Sequence, residues 1–219
     1  MKRKRFLKQC AINAVIILII LVVYFVSTHP LAAQVAGEIA GLPSYKGSQN
    51  IALCFKVEQT IPQRILRTLD ELGVPATFFV SQQAGKDTRL MKQLNDAGHE
   101  IGVLGGISSQ EVQETTQKLE RSFHQAGLKL SNYYMPADHI RMADAHTSAA
   151  FGYQMVICGL QVFKAELSKQ NAAAFIRHTL YEGAYILIPT AEEADSILKK
   201  IIQNAKEKGF IFSTLSDTK

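Results

Sequence analysis

The sequence predicts an α/β domain, a compact and imperfect (β/α) barrel, which follows one transmembrane helix. Three observations support this prediction. An apolar run with no polar face lies near the N-terminus, short apolar strands alternate with amphipathic helices from Asn50 onward, and the excess positive charge is confined to the first eight residues. A chain of 219 residues accommodates one such domain plus an appendage.

The membrane anchor is predicted from residues 11–26, a run of sixteen whose only strongly polar member is Asn13. A core helix in a small domain is polar on the face that meets water, whereas this run is apolar on every side. With its flanking residues it approaches the roughly 20 residues that cross a hydrocarbon core of about 30 Å. We assign the chain to a cytoplasmic basic segment (1–10), the anchor (11–28), a linker (29–49) and the domain (50–219).

The charge distribution predicts which side of the membrane the domain occupies. Five of the 24 basic residues precede the first acid, Glu38, so the remaining chain holds 24 − 5 = 19 bases against 19 acids. Basic residues before the span, and none shortly after it, indicate a cytoplasmic N-terminus and an extracytoplasmic domain at the cell membrane. Because the domain is neutral and shows no basic stripe, we predict no nucleic-acid partner.

A cleaved signal peptide is the alternative to the anchor, since the charges and the apolar length fit both. Cleavage requires small residues at −3 and −1. Residues 30–33 (PLAA) offer Ala at −1 but Pro or Leu at −3, and residues 35–37 (VAG) are only a fair match. This favours the uncleaved anchor, and either route exports the domain.

The three cysteines do not form a disulfide framework in a chain of this size. Cys10 lies at the membrane edge. Cys54 and Cys158 fall in apolar, strand-like runs, where cysteine is commonly a small buried hydrophobe. A bridge between these two remains an open alternative that the sequence does not indicate.

Within the domain, hydrophobic periodicity predicts alternating strands and helices. Strands are predicted at 51–55, 76–80, 100–104, 132–135, 154–158, 184–188 and 210–212, and helices at 62–72, 88–97, 109–126, 172–182 and 192–208, with an irregular stretch before residue 154. This alternation implies parallel pairing through right-handed crossovers. Seven strands in about 165 residues favour a barrel, although the pattern alone leaves a doubly wound sheet open, and a barrel's site residues follow its strands.

Two segments and the C-terminal region carry a family resemblance. Residues 66–80 read LRTLDELGVPATFFV, residues 98–102 read GHEIG, and residues 183–217 read as a closing strand, helix and strand. Over roughly residues 50–217 the sequence resembles the polysaccharide deacetylase family, the NodB-homology domains. The resemblance implies a distorted (β/α) barrel that removes acetyl groups from N-acetylated sugars, such as those of peptidoglycan and chitin, with a divalent metal such as zinc.

The family's carboxylates and histidines are replaced in this chain. The motif Thr-Phe-Asp-Asp-Gly, whose carboxylates serve as catalytic base and metal ligand, is matched by residues 54–58 (CFKVE), so Lys56 and Val57 stand at the two carboxylate positions. The two metal-binding histidines that follow GHEIG are matched by Leu104 and Ser108. The resemblance therefore implies a metal site that this sequence does not complete.

The remaining motifs are also altered. Arg-Pro-Pro is matched by residues 135–137 (MPA), which begin with Met135, and the histidine of Leu-His-Asp is matched by Pro189. An aspartate and tryptophan segment falls near residues 158–163, and the chain contains no Trp. His99 matches the structural histidine of GHEIG and not a metal ligand, so we expect local hydrogen bonds at the start of a strand.

Elementary chemistry leads to the same interpretation. A catalytic zinc needs about three N, O or S ligands at roughly 2.0–2.3 Å. An ammonium at the position of Lys56 cannot accept a proton from a metal-bound water. We expect no cofactor and predict a non-catalytic, membrane-anchored member of the family that acts in the cell envelope by binding a glycan or another protein.

The alternative is an active hydrolase of amide carbon–nitrogen bonds in envelope polysaccharide, with a centre rebuilt around His139 and His146. Asp138 and Asp144 lie nearby and offer two further ligands. On a continuous helix the two histidines would be about 10.5 Å apart, too far for one ion without a bend. A polar surface loop with aspartates as helix caps is the more ordinary interpretation. A membrane scaffold with no ligand is a third, weaker option.

We expect the full-length chain to remain in the membrane pellet after alkaline carbonate extraction, because residues 11–26 are apolar on every face. Immunoblots of pellet and supernatant measure this, and a chain lacking residues 1–39 is the control that should move to the supernatant. A purified form beginning near residue 34 or 37 would instead establish a cleaved signal peptide.

Overall fold

The computed structural model describes residues 49–105, 109–137, 142–162, 176–191 and 194–217, all of which belong to one compact unit. The predicted basic segment, the anchor and all but the last residue of the linker lie outside the described residues. In the ranges that are described, no helix is long and apolar enough to cross a membrane.

Strands and helices alternate along the described chain, as the sequence predicts. The strands are β1 (Asn50–Val57), β2 (Thr77–Val80), β3 (Glu100–Gly105), β4 (Tyr133–Pro136), β5 (Gln154–Met155), β6 (Leu160–Gln161), β7 (Tyr185–Pro189) and β8 (Ile211–Phe212). The helices are α1 (Gln63–Glu71), α2 (Thr88–Asp96), α3 (Ser109–Ala126), α4 (Met142–Ala150) and α5 (Ala194–Glu207), with a short 3-10 helix at Ala84–Lys86.

Local chemistry sets the ends of the first two helices. Helix α1 begins after Pro62 and is followed by Gly73, which adopts a positive φ of 61° that side chains other than glycine rarely tolerate. Helix α2 is capped by the Asp87 carboxylate, which accepts a 3.0 Å hydrogen bond from the amide of Leu90. Gly98 then ends it with a φ of 77°.

The strands form one parallel sheet in the order β5-β4-β3-β2-β1-β7-β6, with β8 pairing the N-terminal part of β1. Strands β5 and β6 lie at opposite edges, yet only residues 156–159 separate them in sequence. The five Cα–Cα steps from Met155 to Leu160 span at most about 18 Å. A flat seven-strand sheet would hold its edges roughly 29 Å apart. The sheet therefore curls, which confirms the distorted (β/α) barrel and excludes a flat doubly wound sheet.

Successive strand residues point to opposite sides of the sheet. Because the sheet curls, one of these faces is outer and the other is inner, and both are apolar. The outer face, which includes Leu53 and Phe55, packs against the helices. We call the set of buried side chains within the curl the inner cluster. Its members are Ala52, Cys54, Phe79, Leu104, Tyr133, Met135, Val156, Tyr185, Leu187 and Leu215.

The last glycine of GHEIG is required by packing in the curl. A Cβ at Gly102 would lie 2.9 Å from the ring of Phe79 and 3.0 Å from the carbonyl oxygen of Tyr133. Real Cβ atoms do not approach their neighbours that closely, so a side chain here would push β2, β3 and β4 apart. The motif thus contributes to the close packing of three neighbouring strands.

The chain that follows β8 closes the end of the barrel where the strands begin. One oxygen of the Glu100 carboxylate accepts hydrogen bonds from the Thr77 hydroxyl and the Leu215 amide, both at 2.9 Å, and the other accepts from the Ser216 hydroxyl. The Tyr133 hydroxyl donates to the carbonyl oxygen of Leu215 at 3.1 Å. The leucine side chain can therefore complete the inner cluster without leaving its backbone unpaired.

The structure corrects the predicted elements at two places. Helix α4 occupies part of the stretch predicted to be irregular, and its alanine-rich sequence shows no strong apolar period. Strand β6 was not predicted, because two residues carry no alternation and only pairing with β7 defines it. Part of the predicted helix at 172–182 lies outside the described residues, and residues 176–179 are helical.

We expect Glu100→Ala to lower the free energy of unfolding by about 1–3 kcal/mol, because buried donors at Thr77 and Leu215 lose a charged acceptor. Urea unfolding of the full-length protein in detergent, followed by circular dichroism, measures the change. Glu207→Ala, an exposed carboxylate at the end of α5, is the matched control and should change stability by less than about 0.5 kcal/mol. Equal stabilities for the two variants would contradict the contribution assigned to Glu100.

Candidate functional site

A cleft of about 440 Å³ lies where β1, β6 and β7 end and where the chain leaves β4. It is at the carboxyl ends of parallel strands, which is where (β/α) barrels build their sites. The residues that line it are Lys56, Glu58, Gln59, Thr60, Ala137, Gln161, Val162, Leu187, Ile188, Pro189 and Thr190.

Lys56 lines this cleft and makes hydrogen bonds with residues that follow β4 and β7. Its ammonium donates a 2.9 Å hydrogen bond to the carbonyl oxygen of Ala137, which follows β4. Its own carbonyl oxygen accepts a 2.9 Å hydrogen bond from the hydroxyl of Thr190, which follows β7. Lys56 thus places a half-buried amino group, hydrogen-bonded to Ala137 across the cleft, where the resemblance implies a carboxylate base.

The other replaced positions separate into three groups. Pro189 lines the cleft and is in register with Lys56. Leu104 and Met135 are register partners, each 3% exposed, and both belong to the inner cluster. Val57 is fully buried on the opposite, helix-facing side of β1. The structure therefore brings Lys56 and Pro189 together in the cleft but directs Val57 away from it.

Ser108 and His139 lie outside the described residues. His146 is described, and it lies exposed on α4. It is not among the residues that line the cleft. In the described part of the chain, the proposed rebuilt centre therefore has one histidine, and that histidine lies on the surface.

The divalent metal that the resemblance implies does not fit the residues at this site. The Leu104 side chain has no lone pair to donate, and the ammonium of Lys56 repels a cation. A zinc site needs about three converging ligands. Among the described residues, no group of three or more His, Cys, Asp or Glu side chains could hold a metal ion.

His99 lies at the start of β3, the end of the strand that is remote from the cleft. Its backbone amide donates to the carbonyl oxygen of Leu94 at 3.0 Å, a local hydrogen bond that does not involve the imidazole. The imidazole is 9% exposed, its Nδ1 has no hydrogen-bond partner, and its ring meets the edge of Phe78 at a centroid distance of 5.3 Å. Burial lowers the pKa of His99, and the negative charge of Asp70 only partly opposes this. The imidazole therefore packs as a neutral ring.

The polar lining of the cleft was missed by sequence reasoning. Gln59 and Thr60 follow β1, so the rule that site residues follow strands would have found them. Gln161 belongs to β6, the strand that the sequence did not reveal. Together with Thr190, these side chains present amide and hydroxyl groups beside the aliphatic Val162. Such a lining suits a ligand that carries both polar groups and apolar C–H faces.

Solved structures share this fold. PdaA of Bacillus subtilis, a family 4 carbohydrate esterase, has 21% sequence identity and a TM-score of 0.70 over 85% of this chain and 88% of its own. A family 4 carbohydrate esterase of Bacillus anthracis has 22% identity and a TM-score of 0.66 over 81% and 85% of the two chains. At these identities the likeness establishes the fold alone.

A third structure with this fold is a Bacillus anthracis pseudoenzyme of the same carbohydrate esterase family, in a mutant form with restored enzymatic activity. It has 19% identity and a TM-score of 0.69 over 78% of this chain and 68% of its own. Among curated proteins, no sequence matches the chain.

The family itself is established from the sequence match. The model of the polysaccharide deacetylase family matches residues 45–156, which are 112 of the 219 residues. This range contains β1 to β5, the GHEIG motif and the replaced positions from Lys56 to Met135. The curled parallel sheet has the architecture that this match implies, and the chain belongs to the polysaccharide deacetylase family.

Proposed function

We propose that this protein is a membrane-anchored, non-catalytic polysaccharide deacetylase homologue whose cleft binds an N-acetylated glycan of the cell envelope. One observation carries the proposal. An open cleft of about 440 Å³ lies at the carboxyl ends of the strands, and Lys56, which donates to the carbonyl oxygen of Ala137, stands in it where the family resemblance implies the catalytic base. Its volume lies within the range of roughly 300–1,000 Å³ that small-molecule sites occupy.

Hydrolysis of an acetamide needs a base for the attacking water and an electrophile for the developing oxyanion. An ammonium at Lys56 has no lone pair to accept a proton, and its Nζ donates to the carbonyl oxygen of Ala137, so it cannot serve as that base. Glu58 lines the cleft, but its side chain is exposed to water, and no metal-ligating set accompanies it in the described ranges. A lone solvated carboxylate does not supply both functions, which supports a non-catalytic role.

The chemistry of the lining favours a glycan as the ligand. The amides of Gln59 and Gln161 can each donate and accept, as sugar hydroxyl and acetamido groups require. The aliphatic surface of Val162 and Leu187 offers a contact for the C–H face of a sugar ring or for an acetyl methyl group. A ligand of this mixed character is held by a few oriented hydrogen bonds on an apolar floor.

A protein partner is the less favoured occupant. Specific protein interfaces have a contiguous apolar centre. Among the described residues, the exposed large hydrophobic side chains are Phe151, which follows α4, at 37% and Ile211, on β8, at 60%. Neither lines the cleft.

The anchor belongs to the same proposal. A linker covering residues 29–49 has 21 residues and reaches at most about 70 Å when fully extended. The cleft would therefore bind glycan that lies close to the outer surface of the membrane. The Bacillus anthracis pseudoenzyme supports the view that this fold is also used without catalysis.

We expect the purified full-length protein to contain no stoichiometric zinc, to release no acetate from chitin oligomers or peptidoglycan, and to bind chitin oligomers. Elemental analysis, an acetate assay and calorimetry measure these three properties. The single replacement Lys56→Asp should not restore acetate release, because Leu104 still provides no metal ligand and Pro189 provides no catalytic imidazole.

Gln161→Ala should weaken oligomer binding by about two- to tenfold, the loss of one hydrogen bond. Gln203→Ala, an exposed amide on α5 outside the cleft, is the matched control and should bind like the wild type. Acetate release that disappears in a His139→Ala, His146→Ala double variant would overturn the proposal in favour of the rebuilt hydrolase. Absence of glycan binding by the wild type would remove the glycan as ligand.

A further inference from the structure

Two thiols meet inside the curled sheet. Cys54 is fully buried on the inner face of β1, and Cys158 packs against the inner cluster from the segment 156–159. The nearby Cys158 side chain raises the pKa of Cys54. Cys158 is half-buried, whereas Cys54 is fully buried.

The two cysteines lie on separate parts of the fold. Residues 156–159 cross from the β5 edge of the sheet to the β6 edge and thereby close the curl. Strand β1 lies in the interior of the sheet, between β2 and β7. A covalent link from Cys158 to Cys54 would therefore attach the closing segment to an interior strand. It would also hold Gln161, three residues beyond Cys158, in the wall of the cleft.

We propose that Cys54 and Cys158 form an intramolecular disulfide that holds the curled sheet closed. A disulfide needs a bond of about 2.05 Å between the sulfurs and Cα atoms within about 7 Å of each other. Cys54 belongs to the inner cluster and Cys158 packs against the same cluster, so both thiols lie in one small apolar volume. The predicted extracytoplasmic location places the domain in a compartment where such bonds persist.

The oxidant is a disulfide compound, either a small molecule or a thiol–disulfide oxidoreductase. The Cys158 thiolate attacks one sulfur of the oxidant, which forms a mixed disulfide and releases the first thiolate. The Cys54 thiolate then attacks the sulfur of Cys158, which forms the internal bond and releases the second. The two cysteines together lose two protons and two electrons, and the oxidant becomes two thiols.

Cys158 reacts first because it is less buried than Cys54. The second step depends on pH because it needs the Cys54 thiolate. The nearby Cys158 side chain, together with burial and the negative charge of Glu100, raises the pKa of Cys54 well above its ordinary value. Below that pKa the thiolate fraction of Cys54 grows about tenfold per pH unit, so internal closure should accelerate as pH rises. The other titratable groups that share the inner cluster or act on the pair are Tyr133, Tyr181 and Tyr185.

The test uses the reduced full-length protein in detergent, treated with 2-hydroxyethyl disulfide, quenched with N-ethylmaleimide and digested with trypsin. We expect a linked species of peptides 47–56 and 142–164, about 2 Da below the sum of their masses because two hydrogens leave. Reduction should abolish it, and formation should be faster at pH 8 than at pH 7. Recovery of both peptides with N-ethylmaleimide attached, or a stable mixed disulfide on Cys158, would overturn the proposal.

The unfolding midpoint provides the second measurement. Oxidation should raise the midpoint of the wild type, because the bond joins residues 158 − 54 = 104 positions apart and restricts the unfolded chain. Cys158→Ser, a substitution at a half-buried position, is the matched control and should show no oxidation-dependent rise. An equal rise in this variant would assign the effect to Cys10. Since this chemistry is measured on purified protein, its outcome is independent of whether the cleft binds glycan.

Discussion

The short connection between β5 and β6 is the constraint on which the other features depend. Four residues join the two opposite edges of the sheet, so the strands curl around a common interior. The curl creates a concave face, and that face contains the inner cluster, the cleft and the pair of thiols. An open sheet with the same strands would place Cys158 far from β1 and would leave no wall opposite Lys56.

Packing and hydrogen bonds stabilise the concave face. Leu104 and Met135 fill the interior with apolar side chains, and Lys56 donates to a carbonyl oxygen across the cleft. Carboxylates and imidazoles in this position would need a cation to offset the loss of their hydration. Apolar packing removes that requirement, and the ammonium remains satisfied because it reaches the mouth of the cleft and a backbone acceptor.

The two ends of the barrel have different chemistry. At the end where strands begin, Glu100 accepts hydrogen bonds from two donors of the C-terminal chain and from Thr77 of β2, and the ring of His99 packs against Phe78. At the other end, amide and hydroxyl groups line an open cleft of about 440 Å³. The recognisable GHEIG motif therefore lies at the end of the barrel that the C-terminal chain closes, while Lys56 and Pro189 lie at the end that contains the cleft.

The sequence by itself determined the alternation of strands and helices, the helix ends at Gly73 and Gly98, the family resemblance and the replacements at Lys56 and Pro189. These features are encoded locally, since periodic burial and glycine conformation depend on neighbouring residues in the chain. Only the tertiary structure decided the strand order, β6 with Gln161, the orientation of Val57 toward the helices and the meeting of Cys54 with Cys158. These features depend on pairs distant in sequence, such as Lys56 with Ala137, which are 81 residues apart. Periodicity indicates which face of a strand is buried, but it does not specify which strand or side chain will lie opposite.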